Sequence, residues 1–316
     1  MKTPFRPLVG LLSLLVLTLM FLSSFQRQLA LGAPVGGTPD PNVYLPLVQK
    51  ASASPTPIPT VDPNNWLAYV NYYRAIADVP AVTENATLNN NCWEHARYMA
   101  ENNDLTHDQN PNLPYASEAG QICAGNGNAW LGGEFFQPYW QVHHTIEGWM
   151  GSVGHRLWLL YPTTPTFGYG FYTASNNRAG AALDVLSTFN SGADDGYPGW
   201  PIRYPAPNQI DVPAEVYPIT INWQYFGATP TYTSSSLITF GGTTLAHTAD
   251  TSLPVGHKGI QIYPTQPLPA NTTILVSVSG AYDGTPFTYT WQFTTASGLA
   301  APAGPEGTLN EPPTDH

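Results

Sequence analysis

Trp149-Met150-Gly151-Ser152-Val153-Gly154-His155-Arg156 is the stretch on which the reading of this chain turns. Upstream of it, residues 138–151 are bracketed by Trp140 and Trp149, and the spacing predicts a helix that ends at Gly151. A glycine-bearing turn would then present His155, with Arg156 anchoring the turn. Two further segments concentrate titratable groups. Leu105-Thr106-His107 follows a helical pattern over 87–102, in which Leu88, Cys92, Ala96 and Met99 share one face. Tyr115-Ala116-Ser117-Glu118-Ala119-Gly120 places Glu118 shortly after. Taken singly these are weak signals, because a histidine just past a helix also serves its C-terminal dipole. The chain has no HExxH, GxSxG or CxxC, and no Gly-rich phosphate loop after a strand.

Outward from these segments, Trp66, Tyr69, Val70, Tyr73 and Ile76 recur at helical spacing behind Asp62-Pro63, which reads as an N-cap and first helical position. After Pro162, residues 167–172 and 181–189 read as strands, with Asn176-Asn177 turning between them. Helices first and a hairpin afterwards make a mixed α+β sandwich over 64–195. Residues 196–218 are Pro-rich and read as a linker. From 219 to 297 the pattern is of short strands: Ile274, Val276 and Val278 alternate with Leu275, Ser277 and Ser279, and Tyr289, Trp291 and Phe293 with Thr288, Thr290 and Gln292. Asp283-Gly284 is the turn signal between the two runs. This second region reads as an all-β sandwich, with His247, Asp250 and His257 as exposed loop residues. Residues 298–316 read as a disordered tail.

The chain has 316 residues with only 10% charged, 32 Pro and 28 Gly, and a formal net charge of −11. Lys2 and Arg6 precede the apolar run 8–22, and Ala30-Leu31-Gly32 offers small residues for cleavage. Residues 1–33 are therefore expected to be a signal peptide or a retained anchor, and 34–63, with Ser54-Pro55-Thr56-Pro57-Ile58-Pro59, an extended linker. Without residues 1–33 the net charge becomes −14. Such a surface repels phosphate backbones, which argues against nucleic acid, and leaves the N-terminal segment as the one route to a membrane. In an oxidising compartment the two cysteines, Cys92 and Cys123, are expected to pair.

The order and spacing of the three segments resemble the CAP family, that of cysteine-rich secretory proteins, antigen 5 and pathogenesis-related proteins. The matching residues are Leu105-Thr106-His107, Glu118, Trp149 to Arg156 and Gly168-Tyr169-Gly170, within about residues 65–190. The resemblance implies an α-β-α sandwich with His107, Glu118 and His155 meeting in an open cleft. Two histidines and a carboxylate there can bind a divalent metal (Zn or Ca), or hold one another with none. The resemblance puts the family's second acidic position near Ser152. Glu147, four residues after His143 on one helix face, and Asp184 are the remaining candidate cleft carboxylates. His95 reads as a packing residue, and His143 and His144 as surface or structural residues. The segments 267–273 and 291–295 resemble those of bacterial Ig-like modules, which space or attach other domains. Together these features imply a secreted or cell-surface protein that binds a small hydrophobic ligand, a metal or a cell-envelope component. The rivals are a peptidase-like hydrolase with Glu118 as general base, and a structural envelope protein.

Overall fold

A computed structural model describes residues 62, 64–133 and 140–298, all within one compact unit, Ala51–His316. The export segment, nearly all of the 34–63 linker, the predicted helix start at Pro138 and the tail beyond 298 lie outside the described residues. No described helix is long and apolar enough to cross a membrane.

The first helix, α1 (Trp66–Ile76), is capped by Asn65, whose side chain accepts from Ala68 N at 3.1 Å. Asp62, expected to be the cap, instead accepts from Asn64 N at 2.9 Å, because the chain needs one more turn before it becomes helical. The buried Arg74 donates to the carbonyls of Pro80, Leu159 and Tyr161, tying α1 to the far end of the domain. After β1 (Thr83–Glu84), α2 (Ala86–Asn102) starts at Asn85, which accepts from both Thr87 N and Leu88 N, and closes on Asn103 at φ 52°.

The sheet beneath has the order β1-β3-β4-β2, with β2 at Gly127–Gly132, β3 at Thr166–Thr173 and β4 at Ala179–Asp184. β1 runs parallel to β3, and the other pairings are antiparallel. Alternation splits the sheet between two helical layers. Phe167, Tyr169, Ala181, Leu183 and Trp130 pack with Val70 of α1 and with Ile146 and Trp149 of α4 (Val142–Gly151). On the other face Gly168, Gly170 and Gly180 let the α2 backbone lie directly on the strands. The result is three layers, α-β-α. Two elements were not anticipated: α3 (Glu118–Gly125), capped by Ser117, and β2 itself. A third difference concerns His155. Ser152 is a single extended residue, φ −98° and ψ 124°, and the chain re-enters a helix at once as α5 (Val153–Leu159). His155 therefore sits within a buried helix and not on a turn.

The strand-rich remainder contains β5 (Ile202–Tyr204), β6 (Ile219–Asn222), β7 (Thr231–Thr239), β8 (His247–Asp250), β9 (Gly259–Pro264), β10 (Thr273–Tyr282) and β11 (Thr285–Thr294). They form two sheets, β5-β6-β9-β8 and β11-β10-β7, with only antiparallel pairings, and their buried residues share one core. Asp283 at φ 47° and Gly284 at φ 74° make the two-residue turn between β10 and β11.

Residues 196–218, read as a linker, are packed into the body. Their strand β5 pairs with β6, and Tyr204, Ala206, Val212 and Tyr217 are buried. Arg156 explains why: its guanidinium donates to Met150 O at 3.1 Å and to Pro218 O at 2.9 Å, and lies over the rings of Tyr204 and Tyr217. The Tyr217 hydroxyl donates to the same Met150 carbonyl at 3.0 Å. Val153 and Leu157 of α5 pack on Leu253 and Tyr263. One face of α5 is thus held by the β region.

Candidate functional site

The loop after α2 brings His107 back against α3. Its Nδ1 lies 3.0 Å from the carbonyl oxygen of Ala124, which can only accept, so Nδ1 carries the proton and Nε2 keeps its lone pair. Ala124 is itself held in place by its neighbour. Cys123 is joined to Cys92 of α2 by a disulfide with Cα atoms 5.1 Å apart, closing a separation of 31 residues. The expected cysteine pairing is therefore present, and it fixes the helix whose carbonyl orients His107.

His155 is oriented from two sides. Its Nδ1 is 3.0 Å from Ser152 Oγ, and its own carbonyl accepts from the buried Asn128 side chain at 3.2 Å. The Ser152 hydroxyl thus steadies the imidazole. Burial, and then the charge of His107, push His155 down to about 4. His107 is lowered as well, by burial, with its bond to Ala124 opposing the shift. Each histidine is neutral at pH 7, and a charge on His107 is felt at His155.

The carboxylates are placed differently. Glu118 is exposed at the first position of α3. Asp184 is buried and caps the turn after β4, accepting from Leu186 N, Ser187 N and Ser187 Oγ. Glu147 hydrogen-bonds Tyr69 of α1, and crowding of its carboxyl in the α1–α4 groove pushes it up to about 7, although its surface remains partly in solvent. His144 accepts from Gln141 N at the start of α4, and His143 lies against Tyr69. In the second region His247 bonds Ser235 and Leu245, and Asp250 caps Ser252 N. His257, expected in an exposed loop, is instead buried at 3% exposure, because the helical domain covers it.

Sequence reasoning missed Gln109. It donates to His95 Nδ1 at 3.1 Å and accepts from Ser117 N at 2.9 Å, while His95 Nε2 donates to Thr106 O. This buried chain fixes both the loop that carries His107 and the cap of α3. Burial holds His95 near 4, which the network requires, since Nδ1 must stay an acceptor. The signal available was the spacing of His95, Gln109 and Ser117 around His107, but Gln is too common in loops to announce such a role.

Imidazoles that ligate metals usually give their second N–H to a carbonyl, and His107 has that arrangement. Among the described residues, however, no three His, Cys, Asp or Glu side chains form a metal-holding group. The donors brought together are two imidazoles.

The three layers are α-β-α, and His107 on a loop and His155 on a helix lie near enough for the charge of one to act on the other. The family described as CAP, the cysteine-rich secretory protein family, matches residues 67–190, from the first turn of α1 to just past β4. That match supports a CAP domain over this segment, and CAP proteins are commonly extracellular. No curated protein matches the chain.

Proposed function

We propose that the chain is an exported CAP-domain protein that binds a small ligand or a divalent cation at His107 and His155, beside an Ig-like β module. The observation that carries this reading is the pair of neutral imidazoles: Nδ1 of each is engaged, and the Ala124 carbonyl leaves the Nε2 lone pair of His107 to meet a ligand. The exposed position of Glu118 favours binding over hydrolysis, which needs that carboxylate held as a base. If a metal is the ligand, His107 and His155 would hold it with water completing the shell, and it would supply Lewis acidity there. Export is supported by the basic and apolar N-terminal run together with the disulfide. The Ig-like assignment draws on the two antiparallel sheets and the β10–β11 hairpin.

Titration calorimetry with Zn²⁺ and with Ca²⁺, and a fluorescent fatty-acid displacement assay, test the site. His107→Ala and His155→Ala are each expected to weaken binding of the cognate probe tenfold or more, about 1.4 kcal/mol. Unchanged binding in both folded variants would remove the site from these residues.

A further inference from the structure

His257 follows the short helical turn Pro254–Gly256 and precedes β9. It is 3% exposed, and neither ring nitrogen has a hydrogen-bond partner among the described residues. Its surroundings are rings: Trp158 of α5 at 4.4 Å between centroids, Tyr225 at 5.2 Å and Tyr161 at 6.5 Å. Trp158 and Tyr161 belong to the CAP domain, while Tyr225 and His257 belong to the β region. The imidazole therefore stands in the seam between them. Leaving a buried polar group without partners costs about 1–3 kcal/mol. A phenylalanine would fill such a box without that cost.

We propose that His257 makes the seam between the CAP domain and the β region an acid-sensitive joint, closed at neutral pH and loosened in acid. A protonated ring gains a second N–H and a charge where no acceptor faces it. The groups packed against it are Trp158 and Tyr161 from α5 and the turn after it, and Tyr225 and Lys258 from the β region. The nearest acid on this path, Asp194, is already engaged by the hydroxyls of Tyr161 and Thr163, both at 2.7 Å. Ring faces attract a cation, which opposes the effect. Burial and then the charge of Lys258 prevail and push His257 down to about 3.

With the joint open, the imidazole returns to an ordinary value of about 6.5. Because the closed state depresses the pKa, its stability is fully present above that ordinary value. It is lost as pH falls, by about tenfold in the closed-to-open ratio per pH unit between about 6 and 3. Opening releases α5 from Leu253 and Tyr263, and α5 carries His155. The joint itself does not depend on His155 binding anything.

Hydrogen exchange of the α5 amides, corrected for intrinsic rates and followed from pH 7 to 4 in the whole protein, is the test. In the wild type, α5 protection is expected to fall about tenfold per unit below pH 6. In His257→Phe and His257→Gln that slope should vanish. The same slope in a folded variant would overturn the joint, as would constant α5 protection in the wild type. The wild type also gives a reading that needs no variant. A His257 ring resonance titrating near 6.5 while α5 stays protected would be equally fatal.

Discussion

A Cβ placed on Gly170 would fall inside the backbone of Cys92 and Trp93, and α2 cannot yield without lifting from the sheet. Gly170→Ala is therefore expected to lower stability by about 3 kcal/mol or more in urea melts. Gly151→Ala serves as the control, since nothing lies within 4 Å of its added methyl, and it should be neutral or slightly stabilising. The sequence showed Gly168-Tyr169-Gly170 as a strand motif, but not why glycine is required there. That reason lives in the helix above it. His257 is the sharper case of the same limit: Gly256 and Lys258 beside it look like a surface loop, and only Trp158, 99 residues earlier, makes it a core residue. Glu118, which its motif position suggested for the open cleft, stands exposed at the N-terminus of a helix that the sequence did not announce.

Among elements, α2 and the β10–β11 hairpin were legible because their signals are local. α2 has an Asn cap and a continuous apolar face, and the hairpin has matched alternation around Asp283-Gly284. α3 and β2 were not legible. Glu118–Gly125 and Gly127–Gly132 are short, rich in Gly and Ala, and show no clear period until tertiary contacts impose one. What holds α3 in place is the disulfide to α2 together with the Gln109 network. Replacing both cysteines by serine is expected to cost about 3 kcal/mol for a loop of about 30 residues. Calorimetric melts of the oxidised, reduced and double-serine proteins would measure it. Equal melting temperatures would mean that the Gln109 network alone holds α3. Any ligand affinity resting on His107 should fall along with the stability, since Ala124 adjoins Cys123.

For the whole molecule, the sequence separated two regions by composition and placed a linker where Pro accumulates. Prolines alone marked 196–218 as a spacer, although Tyr204 and Tyr217 within it were the sign of a packed segment, since spacers seldom carry buried aromatics. The structure sets them around Arg156, and the boundary of the family match at residue 190 falls inside a shared core.

Arg156 makes that boundary consequential. A fragment ending at 195 would keep its Met150 bond and lose Pro218, Tyr204 and Tyr217, stranding a guanidinium. It would also bare Val153, Leu157 and Trp158 together on one helix. Such a fragment is expected to self-associate, eluting from a sizing column as oligomers while the intact protein runs at its own mass. A monomeric, equally stable fragment would show that α5 stands without its neighbour. The unit on which inheritance can act as a whole is then larger than the recognisable domain: a duplication or fusion that copied only the CAP part would deliver a sticky half. Residues beyond 195 would have to travel with it.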